Sequence, residues 1–188
     1  MVLRKCTVPV IVEQCVAEIE KRGINVEGIY RISGSHDDME KLRNLYDTDI
    51  SRVDISASKV EDIHTIAGLL KLYLRLLPQP LITFSVYRNL SMVLNRTKAD
   101  YERVKTFKKL LQELPTAHLS TTRLLMLHLA AVAGAQERNR MSAENLARIF
   151  APTIFCAASP SMSVMVLPQQ HEQFILQFLI SNADAVFR

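Results

Sequence analysis

The sequence predicts an all-α, single-domain helical bundle of about seven to nine helices over residues 1–188. Three observations carry that prediction. Apolar residues recur at spacings of three and four along nearly the whole chain, with few alternating runs. At 188 residues and 48% hydrophobic content, the chain is long enough to bury one sizeable core. Five glycines and seven prolines leave little room for linkers, and several of them stand where a helical stretch runs out.

The first helix follows Pro9, with Ile11, Val12, Cys15, Val16 and Ile19 as an apolar stripe opposite Glu13, Ala17, Glu20 and Lys21, and it ends at Gly23. After a loop around Arg31, Ser35 with Asp38 three residues on resembles a capping box, opening a short helix through Met39, Leu42 and Tyr46. Asp54 to Lys59 reads as a polar surface loop. A stronger helix runs from about Val60 to Leu77 and is stopped by Pro78-Gln79-Pro80. Thr83 or Ser85 caps the next helix, through Leu94, and another spans about Lys98 to Glu113. Pro115 starts a long apolar helix reaching Gly134. Ser142 with Asn145 opens a helix expected to finish near Phe150, because Pro152 lies just beyond. Pro160 to Pro168 reads as a mobile surface loop, and Gln170 to Leu179 as a closing amphipathic helix.

Composition removes several classes of function. No apolar run approaches the roughly 18 residues of a membrane span, and the first dozen residues carry no signal-peptide cleavage pattern. A cytoplasmic protein without membrane insertion is expected. Cys6, Cys15 and Cys156 are odd in number and widely spaced, which points to reduced, mostly buried thiols and not to a disulfide framework or a zinc cluster. His64, His118, His128 and His171 are scattered without metal-ligand spacing, so no metal is expected; His128, inside an apolar helix, reads as a satisfied core histidine. Ser33 before Gly34 lacks the Gly-x-Ser-x-Gly elbow of a hydrolase. The net charge of +4 favours an acidic partner or anionic ligand. Nucleic acid is not the expected one, since tryptophan is absent and aromatics do not interleave with the basic residues as a stacking platform requires.

Three elements carry candidate chemistry. In Gly28-Ile29-Tyr30-Arg31-Ile32-Ser33-Gly34, glycines three residues either side of Arg31 suggest a sharply turning loop that presents a fixed cation; an ordinary surface salt-bridge partner is the plain alternative. On the helix ending at Leu77, Ile66, Leu69, Leu70, Tyr73, Leu74 and Leu77 share one side, and His64, Gly68, Lys71 and Arg75 share the other. Gly68 on that basic side would let a partner approach, or else it is a tolerated glycine on a solvated face. Asn145, seven residues before Pro152, is a donor and acceptor early in a helix, or a cap.

The ordered set resembles the Rho GTPase-activating protein (RhoGAP) domain family. The resemblance rests on Gly28-Ile-Tyr-Arg-Ile-Ser-Gly34, Leu69-Leu-Lys-Leu-Tyr-Leu-Arg-Leu-Leu-Pro-Gln-Pro-Leu81 and Met141-Ser-Ala-Glu-Asn-Leu-Ala-Arg-Ile-Phe-Ala-Pro-Thr153, and covers nearly the whole chain. Asp54-Ile-Ser-Ala57, Ala117-His118 and Ala143-Glu-Asn-Leu146 are most similar to the chimaerin type, while Asn139-Arg-Met-Ser-Ala143 and Phe150-Ala-Pro152 are similar to class IX myosins. The resemblance implies a GTPase activator, with no active site of its own, acting on a GTP-bound Rho-family small GTPase, with a lean towards Rac. It places Arg31 at the arginine finger and Lys71, Arg75, Asn145 and Pro152 on the GTPase-binding face, with Gly28, Gly34 and Gly68 shaping the loop and helix. It further implies a monomeric domain from a longer chain whose other regions recruit it to membranes. A non-catalytic GTPase-binding module of the same fold is the alternative. Ala151 replaces a common glycine and Leu76 a frequent acidic residue. The chain has no Gly-x-x-x-x-Gly-Lys-Ser/Thr loop, so it needs no cofactor of its own and GTP and magnesium are expected on the partner.

Overall fold

A computed structural model of the chain describes residues 8–96, 99–155 and 169–188. Ten α-helices and one 3₁₀ turn, Ile50–Arg52, account for the regular structure there: α1 Val10–Arg22, α2 His36–Thr48, α3 Ile63–Arg75, α4 Phe84–Arg96, α5 Asp100–Leu111, α6 Thr116–Gly134, α7 Gln136–Asn139, α8 Ala143–Phe155, α9 Gln169–Ser181 and α10 Ala183–Phe187. The eight helices read from the sequence are all found. The two additional ones, α7 and α10, are four and five residues long, too short for a hydrophobic period to register. The expected Pro160–Pro168 loop, Cys6 and Cys156 lie outside the described residues.

Side-chain caps fix several helix starts. The Ser35 hydroxyl accepts the Asp38 amide at 3.3 Å, Asp62 accepts the His64 amide at 2.9 Å, and Ser142 accepts the Asn145 amide at 3.2 Å. The Ser35 box is only half closed, because the Asp38 carboxylate turns to Lys41 at 2.9 Å. The Thr83 carbonyl accepts the Tyr87 amide at 2.9 Å, so α4 starts after Thr83, one of the two caps foreseen.

α8 departs from its expected end. It runs through Pro152 to Phe155. A proline removes one main-chain hydrogen bond and costs about 3 kcal/mol in a helix interior, but Thr153, Ile154 and Phe155 are all buried on continuing the helix. Burying two large apolar side chains at about 1.5–3 kcal/mol each offsets that loss.

α3 is the central strut. Ile66, Leu69, Leu70 and Leu74 are buried, and the helix packs on α1, α2 and α8. α8 in turn lies along α9 and touches α6. α5 and α10 close the far side, where Phe107 meets Phe178 of α9 edge to face at 5.2 Å between ring centres. Buried Glu18 holds Arg22 at 2.6 Å, and Arg22 donates onward to the carbonyls of Val60 and Glu61, tying α1 to the approach of α3. This frame brings the loop between α1 and α2 against α3, α6 and α8.

Candidate functional site

The loop holding Arg31 is pinned at three places. At its start the Gly28 amide donates to the Asn139 carbonyl at 2.8 Å, and the Gly28 carbonyl accepts the amides of Arg31 and Ile32 at 2.8 and 2.9 Å, closing a tight turn. Gly28 has φ of 71°, a conformation open to glycine at little steric cost. At its end Gly34 lies directly on the start of α3: a Cβ there would sit 2.2 Å from the Thr65 nitrogen. The Ser35 amide beside it donates to the Thr65 hydroxyl at 3.0 Å.

In the middle, Tyr30 is fully buried although it has φ of 70°. Its ring packs edge to face on Phe150 of α8 at 4.8 Å, and its hydroxyl lies 2.6 Å from Nε2 of His128 on α6. Its carbonyl accepts a hydrogen bond from Lys71 Nζ of α3 at 2.5 Å. With the tyrosine turned inward and held at both ends, the next side chain, Arg31, is sent into solvent.

Lys71 is half-buried by this arrangement, and burial together with the Arg75 guanidinium one turn away holds its ammonium below the ordinary lysine value. Arg75 is exposed. Among the described residues no carboxylate forms an ion pair with Arg31, Lys71 or Arg75. Lys71 thus holds the carbonyl that precedes Arg31, Arg75 follows one turn along α3, and none of the three cations has a carboxylate counter-charge among the described residues, a surface suited to an anion.

α8 supplies the remaining side. Asn145 is half-buried, and its amide donates to the Arg140 carbonyl at 3.4 Å, next to the Asn139 carbonyl that holds Gly28. Arg148 and Pro152 follow at helical spacing and are exposed, with Arg148 paired to Glu144. No group of three or more His, Cys, Asp or Glu residues is placed to hold a metal among the described residues. Nor is any described helix long and apolar enough to cross a membrane.

The family profile for the RhoGAP domain matches residues 9–159. The chain belongs to the RhoGAP domain family. N-chimaerin of Rattus norvegicus is 40% identical over 181 residues, covering 95% of this chain and 53% of that protein. Beta-chimaerin of Rattus norvegicus is 38% identical over 179 residues, covering 95% of this chain and 60% of that protein. The chain thus spans little more than half the length of these relatives. The crystal structure of human Rho GTPase activating protein 15 superposes with a TM-score of 0.88 at 31% identity, over 97% of this chain and 85% of that one.

Within this RhoGAP domain one reading of the sequence needs correction. Gly68 does not leave room for a partner: a Cβ there would meet Met39 Sδ at 2.4 Å, so the gap is filled by α2 of the same chain. Leu76 is half exposed and lines an apolar groove of about 570 Å³ with Ile50, Leu72 and Tyr73.

Two supports of the site were missed as functional residues. Asn139 is fully buried; its side-chain amide donates to the carbonyls of Ile24 and Val132 at 2.8 Å each, and its side-chain oxygen accepts the Met141 amide at 2.8 Å. Glu20 accepts from His128 Nδ1 at 3.0 Å, completing the shell behind Tyr30. His128 is the satisfied core histidine expected, but its partners are Tyr30 of the loop that holds Arg31 and a carboxylate at the surface. A lone histidine inside an apolar stripe was the only signal of this in the sequence.

Proposed function

We propose that this domain accelerates GTP hydrolysis on a Rho-family small GTPase, Rac foremost, by inserting Arg31 as an arginine finger into the partner's nucleotide site. The observation that carries the reading is an exposed arginine without an ion-pair partner on a loop pinned at three places, in a chain that belongs to the RhoGAP family. Phosphoryl transfer to water spreads charge over phosphoryl oxygens in a loose transition state, so a catalyst acts by position and electrostatics. A guanidinium keeps its charge and offers planar paired donors to those oxygens. A loop already ordered before docking loses little freedom when the arginine engages.

In this reading Lys71 holds the finger through the Tyr30 carbonyl, Arg75 faces the acidic or polar surface of the partner's switch regions, and Asn145 and Pro152 complete the docking face. The partner brings GTP, magnesium and the attacking water. The domain acts as a monomer in the cytoplasm on the GTP-bound form, and regions of a longer chain carry it to membranes.

Single-turnover hydrolysis with a panel of GTP-loaded Rho-family GTPases tests the reading. Acceleration should be greatest with Rac, and Arg31→Ala should remove about 10³–10⁵ of it, equivalent to about 4–7 kcal/mol of barrier, while binding stays within a few-fold. An unchanged rate in Arg31→Ala would end the finger assignment. Aluminium fluoride separates catalysis from docking alone, because only an active domain should bind the GDP-loaded GTPase more tightly in its presence.

A further inference from the structure

We propose that Glu20, His128 and Tyr30 form a hydrogen-bonded relay of positioning residues that sets the finger loop and so the rate at which the bound GTPase turns over. The proposal rests on the finger reading of Arg31. Its basis is a continuous line of contacts from the surface of α1, through the centre of α6, to the residue before Arg31.

The chemistry of the three groups fixes their roles. The Glu20 carboxyl is held below its ordinary range, first by the hydrogen bond from His128, so it is ionised and can only accept. His128 Nδ1 therefore carries the proton shared with Glu20 at 3.0 Å. In the neutral imidazole Nε2 is then an acceptor, and it takes the Tyr30 hydroxyl proton at 2.6 Å. The imidazole is 1% exposed and stands edge-on to the Tyr30 ring with centres 5.9 Å apart, so neither ring can turn without losing its partner.

The need for such a device is local. Tyr30 has a left-handed backbone, where a bulky residue stays only if its surroundings over-determine it. Phe150 and Lys71 also hold Tyr30, but Phe150 touches only the ring and Lys71 only the carbonyl. The His128 bond is the contact that fixes how deeply the tyrosine reaches inward, and through the shared backbone it fixes where Arg31 emerges. A satisfied buried tyrosine with no wider role would need only one acceptor. Here that acceptor is itself oriented by a carboxylate whose side chain is 47% exposed, on the helix leading into the loop.

The test uses GTP-loaded Rac and GTP-loaded Rho with the intact 188-residue domain. Tyr30→Phe keeps the ring and removes the hydroxyl. It should lower the rate at saturating domain by about ten-fold, a modest misplacement beside the hundred-fold that an ångström can cost, with Kd for the GTP-loaded partner within about two-fold. Because the relay acts through Arg31, Tyr30→Phe should cost nothing further in the Arg31→Ala background. Glu20→Ala, on a half-exposed side chain, guards against misfolding of the buried variant. It should lower the saturating rate several-fold, and Glu20→Gln, whose amide oxygen still accepts from Nδ1–H, should restore it. Circular dichroism confirms that each variant is folded.

Full rate in Tyr30→Phe and Glu20→Ala, with Arg31→Ala inactive, would remove the relay and leave the finger standing. A loss in Kd equal to the loss in rate would also overturn it, since that marks general loosening. An active Arg31→Ala would bring down the finger reading and the relay together.

Discussion

Tyr30 occupies a backbone conformation that glycine usually takes, and its φ of 70° costs a bulky residue about 1–3 kcal/mol. Complete burial of the ring returns a similar amount, about 1.5–3 kcal/mol, and the hydroxyl and carbonyl bonds add about 0.5–1.5 kcal/mol each. The turn therefore holds because tertiary contacts outweigh local strain. That contest is invisible in Gly28-Ile-Tyr-Arg-Ile-Ser-Gly34, where Arg31 and its glycines are legible but the strained residue is not. At the same scale, Glu20 predicts an acid dependence. Its folded pKa lies below the ordinary 4.5, chiefly through the His128 hydrogen bond. The unfolded state then binds more protons as the pH falls, so the stabilisation is complete above about pH 4.5 and is lost as pH drops through the folded value. Below about pH 5 the difference in thermal midpoint between wild type and Glu20→Gln should shrink as the pH falls. A gap that widens in acid would contradict the geometry.

At the scale of elements, helical period located the long helices and their buried stripes because one face of each is continuous. It could not say what covers the other face. The α3 wheel set Gly68 beside Lys71 and Arg75 correctly, yet only the packing of α2 shows Met39 in the gap. Pro152 was read as a stop because proline breaks local hydrogen bonding, while the burial of Ile154 and Phe155 that carries α8 past it is a tertiary effect. Gly34, which packs on α3 from the Arg31 loop, and Gly68 within α3 should therefore behave differently when changed to alanine. At Gly34 the added carbon meets Thr65 backbone at 2.2 and 2.4 Å, atoms that cannot rotate away. Gly34→Ala should lose about 3 kcal/mol in urea unfolding, the upper end of overpacking costs, and should shift the Arg31 loop off α3. At Gly68 the added carbon meets only the flexible thioether of Met39. Gly68→Ala should stay within about 1 kcal/mol of wild type, since the helix gains about that much from alanine. Equal losses at both positions would refute this distinction.

For the whole molecule, the joining of distant segments depends on a residue with almost no sequence signal. Asn139 ends the short α7, in the polar run Gln136 to Arg140 between α6 and α8, and nothing in its neighbours marks it as buried. It is nonetheless 0% exposed, and it connects the end of α1, the end of α6, the start of α8 and, through its carbonyl, Gly28 of the Arg31 loop. The fold was legible from helical period because helices are local; this junction was not, because it is made by pairing main-chain groups more than a hundred residues apart. Asn139→Ala leaves Val132 with the Ala135 amide as a second partner, so the loss falls on the Ile24 carbonyl and the Met141 amide. The Met141 amide is buried and the Ile24 carbonyl half-buried; at about 1–3 kcal/mol for a buried group without a partner, and less for the half-buried one, the loss should be about 1–4 kcal/mol, a large share of the roughly 5–15 kcal/mol that holds a typical domain. Urea unfolding should show that loss as a lower midpoint. In hydrogen exchange, the amides of Gly28 and Met141 should lose protection before those of α9, which shares no bond with Asn139. A loss below 1 kcal/mol, or protection falling evenly through the domain, would mean that the three segments are held together by their apolar packing alone.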